Sequence, residues 1–222
     1  MWNRARRTRL RAAGRLASCG ALVALAGCNS VPPDRVLVKA VCDPQGRMVA
    51  FLPFLPRPGG GATLVDGVTV AQLASVRLRA EKPELKVLGP FDMQEQLKDG
   101  KLETRWLEIG QATGAELVVL GELMVVETQF SRGHQMRSGV IGYRFQVLEV
   151  KDPGKRRAPR ANWSFNFPAD PADAYDTRYV TMTKEAFRHE MIGFGAARLA
   201  GAFYDHLEKK STASQLEVRW YK

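Results

Sequence analysis

Two alternating runs joined by a turn constrain this chain most. In "IGYRFQVLEV" (141–150) the residues Tyr143, Phe145 and Val147 fall on one side, and in "NWSFNF" (162–167) so do Trp163, Phe165 and Phe167. Successive strand side chains point to opposite faces, so each run has one packed face and one wet face. The connector "KDPGKRRAPR" (151–160) has the Asp-Pro-Gly chemistry and charge of a hairpin loop, which makes the two strands antiparallel neighbours.

The remaining elements follow from run length and spacing. "MVAFLPF" (48–54) and "AELVVLGELMVVE" (115–127) are continuous apolar runs that suit strands buried on both faces. "ELKVLGPF" (84–91) reads as another strand. A helix is expected from about Thr63 to Ala80, with Leu64, Val68, Ala71 and Val76 or Leu78 on its apolar face, ending before Pro83. "DMQEQLKDGKLETRWLEIGQATG" (92–114) reads as a helix anchored by Trp106, Leu107 and Ile109 and stopped at Gly114. A last helix is expected from roughly Met182 to Lys209, carrying Ile192, Leu199, Phe203 and Leu207, with Gly193, Gly195 and Gly201 allowing close packing. The order β-α-β-α-β-β-β-α predicts an α/β single domain, a mixed sheet of about five strands with packed helices.

The amino terminus is not part of that domain. Arg4, Arg6, Arg7, Arg9, Arg11 and Arg15 precede an apolar stretch from Leu16 to Leu25, roughly ten residues and too short for a permanent membrane span. Leu25-Ala26-Gly27-Cys28 resembles the lipobox of bacterial lipoproteins. That resemblance implies a cleaved signal peptide over residues 1–27 and a diacylglycerol and a further acyl chain, such as palmitate, on Cys28, the one covalent group expected and no other cofactor. Two or three acyl chains hold a protein stably on a membrane. Arg6-Arg7 also suggests twin-arginine export, but the residues after the pair do not fit it. Losing residues 1–27 removes six arginines and no acid, so the net charge falls from +10 to +4 and a nucleic-acid partner is not expected. Cys19 leaves with the signal and Cys28 is acylated, so no disulfide framework is available; a reactive thiol or pairing between chains is open to Cys42, but with no activating His or Lys evident it reads as inert. Residues 28–47 read as the acylated cysteine and a tether, in which "RVLVKAV" (35–41) is either a short strand or part of the tether; 48–209 is the domain and 210–222 a tail.

"MVAFLPF", the helix after it, "ELKVLGPF" and above all "LEIGQATGAELVVLGEL" (107–123) resemble, in that order, the core of a family of envelope proteins. It includes the amino-terminal domain of TolB, the curli secretion channel lipoprotein and the outer-membrane lipoprotein activators of peptidoglycan synthases. The resemblance covers about residues 48–209 and rests on core residues: Ala112 and Gly114 at the turn, Leu117 to Leu120 in the strand, Gly121 at a close approach. It implies fold and an envelope location, and no chemistry.

No enzyme motif survives inspection. "PGGGATLVDG" (58–67) sits where a phosphate loop would lie but lacks its Lys-Ser/Thr. "RHEMIG" (188–193) places Gly193 where a second zinc ligand belongs, and in "GFGAARLAG" (193–201) Arg198 replaces the third glycine of a dinucleotide fingerprint. No nucleophile elbow is present, and His134, His189 and His206 have no catalytic partner nearby in sequence. A homo-oligomeric secretion or export channel is the alternative, since the curli relative implies one. Yet "TQFSRGHQMRSG" (128–139) and the 151–160 turn are too short and too charged for lipid-facing strands.

The expectation is therefore a non-catalytic adaptor or assembly factor, lipid-anchored on the periplasmic side of the outer membrane. Asn29 is not the aspartate that commonly retains lipoproteins at the inner membrane. Its partner is another envelope protein, with a homo-oligomer left open and the membrane reached through the anchor. The docking residues expected are Arg144, Gln146, Asn162, Ser164 and Asn166 on the wet strand face with Lys155, Arg156 and Arg157 in the turn. A merely solvated sheet face is the equal alternative.

Overall fold

The computed structural model describes residues 34–98, 102–133, 135–153, 156–209 and 219–220, with no account of side chains at 156–161 or 219–220. The fold is α/β. Strands β1 (Arg35–Val38), β2 (Val49–Phe51) and β3 (Leu55–Pro56) lead to helix α1 (Leu64–Glu81) and strand β4 (Val87–Leu88). A 3-10 turn (Pro90–Met93) and helices α2 (Gln94–Leu97) and α3 (Leu102–Thr113) precede the long strands β5 (Leu117–Ser131), β6 (Met136–Glu149) and β7 (Arg156–Phe167). A second 3-10 turn (Pro171–Tyr175), helices α4 (Thr177–Thr181) and α5 (Lys184–Gly201) and strands β8 (His206–Lys209) and β9 (Arg219–Trp220) complete the chain.

The main sheet runs β4-β2-β5-β6-β7-β9, with β3 also on β5. Its β4, β2, β3 and β5 pairings are parallel and the β5-β6-β7-β9 pairings antiparallel, so the sheet is mixed as the pattern predicted. Both faces of the apolar runs are buried: Val49, Phe51, Leu117 and Val119 pack under α1 and α5, while Ala50, Leu52 and Val118 pack with Ile109 and Leu102 of α3. The hairpin register matches the aromatic alternation, with Tyr143 opposite Trp163 and Ile141 opposite Phe165. All six inward residues named from the alternation are buried. Tyr143 donates its hydroxyl to the Gly195 carbonyl at 3.1 Å, and burial holds its phenol well above its ordinary pKa.

Several elements differ from expectation. Helix α1 is capped by Thr63, whose hydroxyl accepts the Asp66 N–H while Asp66 accepts the Thr63 N–H at 2.6 Å. Its buried face, however, is Gly67, Val70, Ala71, Ala74 and Leu78, and Leu64 and Val76 lie exposed. Small residues permit close approach: a Cβ at Gly67 would sit 1.8 Å from the Phe54 carbonyl oxygen. The expected 92–114 helix is divided into a 3-10 turn and two helices, with Leu102 and Ile109 buried and Trp106 and Leu107 half-buried. Residues 128–139 form no long loop; β5 and β6 stay paired from Thr128 opposite Gly139 to Ser131 opposite Met136.

The last helix ends at Gly201 rather than Lys209. Its expected final turns instead become β8, which pairs antiparallel with β1, Leu37 opposite Leu207. "RVLVKAV" thus begins as a strand, and its end is fastened further: Val41 and the next residue, Cys42, both donate to the Ala202 carbonyl, at 2.8 and 3.0 Å. Cys42 is buried in the core, and Arg47 Nη1 lies 2.8 Å from Glu149 Oε1. No helix among the described residues is long and apolar enough to cross a membrane.

Candidate functional site

Helices cover the sheet unevenly. Helices α1 and α5 seal one face across β2, β5, β6 and β7, whereas among the described residues α3 covers the other face around β2 and β5. Away from α3, five outward side chains of β6 and β7 are polar and partly or fully solvated: Arg144, Gln146 and Asn162 are half-buried, and Ser164 and Asn166 are exposed. Strand register aligns them, Arg144 opposite Asn162, Gly142 opposite Ser164 and Val140 opposite Asn166.

Register also brings in a residue that sequence reading missed. Glu122 of β5 stands opposite Arg144 and forms an ion pair with it, so the row Glu122, Arg144 and Asn162 crosses three strands. The signal was present, since Glu122 is a charge inside an otherwise apolar run. Within this row the buried Arg144 Nε has no acceptor and the buried Asn162 Oδ1 has no donor. A shallow concavity of about 240 Å³ lies beside it, lined by Glu103, Glu122, Arg144 and Gln146. A second, of about 330 Å³, lies farther along the hairpin between Glu127, Asn166 and Tyr175.

Among the described residues β9 pairs antiparallel with Ala161 and Asn162 on the outer edge of β7. Arg156 and Arg157 begin β7, with their side chains outside the description, and Lys155 lies outside the described residues. So do Leu25, Ala26, Gly27 and Cys28, and His134. His189 is exposed on α5, and its neighbour Glu190 pairs with Arg178 at 3.0 Å. Among the described residues no group of His, Cys, Asp or Glu could hold a metal ion.

No family model matches this chain, and no curated protein matches it. Solved structures do match, three of them as follows. A PelC dodecamer from Paraburkholderia phytofirmans is 14% identical with a TM-score of 0.43, covering 73% of this chain and 94% of that one. Lipoprotein GNA1162 from Neisseria meningitidis is 12% identical with a TM-score of 0.42, over 65% of this chain and 97% of that one. The LpoB C-terminal domain from Salmonella enterica is 14% identical with a TM-score of 0.33, over 58% of this chain and 82% of that one.

Proposed function

We propose that the protein is a lipid-anchored, non-catalytic adaptor that faces the periplasm from the outer membrane and binds another envelope protein through the polar outer face of β6 and β7. The observation that supports it is the polar outer face of β6 and β7, where Arg144, Gln146 and Asn162 are half-buried and Ser164 and Asn166 exposed. Charged and polar groups on such a face select a partner by complementarity. The orphan donor on Arg144 and orphan acceptor on Asn162 add side-chain hydrogen bonds that a partner completes. Cys28 supplies the membrane attachment, following its lipobox sequence.

Capture of the partner from detergent-solubilised membranes tests this reading. The Ser164→Arg/Asn166→Arg double variant is expected to lose capture, because both residues are exposed on the proposed face. Its melting temperature should stay within about 4 °C of wild type, as for surface substitutions generally. Undiminished capture by the folded variant rejects the face.

A further inference from the structure

A cavity of about 420 Å³ opens between the exit of β1, the end of α5 and β8, a size typical of small-molecule sites. Val38, Val41 and Ala202 give it apolar walls, and Trp163 reaches it from β7. Arg198, His206 and Glu208 also line it, and the Arg198 and Glu208 side chains are each only 10% exposed. Glu208 Oε1 receives the Arg198 Nη1 hydrogen bond and lies 2.8 Å from His206 Nε2. The other imidazole nitrogen lies 3.0 Å from the Tyr204 carbonyl oxygen.

That network leaves two atoms out. Glu208 Oε2 and Trp163 Nε1 are both buried and neither has a hydrogen-bond partner. Trp163 is only 6% exposed as a residue. Native proteins rarely leave such groups unmade, and both belong to side chains that line this cavity, so a ligand that enters it and shifts those side chains completes them. It must give one hydrogen bond and take one. A carboxylate sets its charge against Glu208 and leaves Oε2 unmatched, while an ammonium offers nothing to the indole N–H. A carboxamide does both, its N–H donating to Glu208 and its carbonyl accepting from Trp163.

We propose that this cavity is a binding site for a small neutral ligand that presents a carboxamide from an apolar body. Isovaleramide is a suitable probe, and methyl isovalerate, which keeps a carbonyl and lacks the N–H, is its control. In 15N–1H spectra of the detergent-purified full chain, the indole resonance that Trp163→Phe removes should shift saturably with the amide. The Trp106 indole resonance should not move. By calorimetry the ester should bind roughly tenfold more weakly, the cost of one missing hydrogen bond. Glu208→Gln should bring amide and ester affinities together, and Trp163→Phe, which keeps an aromatic ring in place, should weaken both. The proposal is overturned if the wild-type indole shows no saturable shift, if the ester binds as tightly as the amide, or if Trp163→Phe binds the amide unchanged.

Discussion

Arg188 Nη2 lies 2.6 Å from Asp66 Oδ2, joining α5 to the first turn of α1 across 122 positions of sequence. The same guanidinium donates to the Gly61 carbonyl at 2.7 Å and the Val126 carbonyl at 3.2 Å. One side chain therefore ties together a helix cap, a glycine loop and the longest strand. Removing it strands a carboxylate that is almost buried. Arg188→Met should cost about 3 kcal/mol in urea unfolding at neutral pH, near the low end for breaking a buried pair because Arg188 keeps some solvent contact.

The same pair carries a pH signature. Burial alone would raise the Asp66 pKa, but hydrogen bonds from Arg188 and Thr63 outweigh it and hold it below its ordinary value. A carboxyl depressed in the folded state stabilises above its unfolded pKa, near 3.9, and loses that contribution as pH falls through its folded pKa. The stability gap between wild type and Arg188→Met should thus narrow below about pH 4, toward what the two carbonyl hydrogen bonds of Arg188 contribute. A gap that stays constant in acid contradicts the assignment.

His206 runs in the opposite direction. Its hydrogen bond with Glu208, offset in part by burial, raises its pKa. A raised imidazole stabilises fully below about pH 6.5 and loses the contribution as pH rises through its folded pKa. The melting temperature difference between wild type and His206→Gln should accordingly be largest in mild acid and shrink in alkali.

Two glycines of α5 separate packing from propensity. A Cβ at Gly195 would meet Ile141 Cδ1 at 2.6 Å, whereas at Gly193 nothing lies within 4 Å. Gly195→Ala should destabilise by about 1–3 kcal/mol through overpacking. Gly193→Ala should stabilise by roughly 0.5–1 kcal/mol through helix propensity. Chemical denaturation of the two variants checks the contrast.

These residues also show what could be read in advance. The β6-β7 hairpin and its aromatic face were legible because alternation and turn chemistry are local, and so were the doubly buried strands. The pairing of β1 with β8 was not, since it joins residues about 170 positions apart and replaces what spacing alone extends as helix. On α1 the expected Ala71 and Leu78 are buried, but Gly67 and Ala74 are buried where Leu64 and Val76 were expected, because small residues carry little hydrophobic signal yet allow the closest packing. Of the candidate site, the outward row on β6 and β7 followed from alternation. The Glu122–Arg144 pair needed the β5-β6 register, which a bulge between Leu123 and Val125 shifts.

Photo-crosslinking in living cells tests the central claim most directly. A photoreactive residue at Ser164 or Asn166, on the open face, should give a discrete adduct with another envelope protein. One at Val65, exposed on α1 across the molecule's helical side, should give none. The adduct from Asn166 should vanish when Lys155, Arg156 and Arg157 are reversed to glutamate, with the protein still folded. Adducts from Val65 alone, or an Asn166 adduct with the mass of two copies of this chain and nothing else, would contradict docking of a different protein at β7.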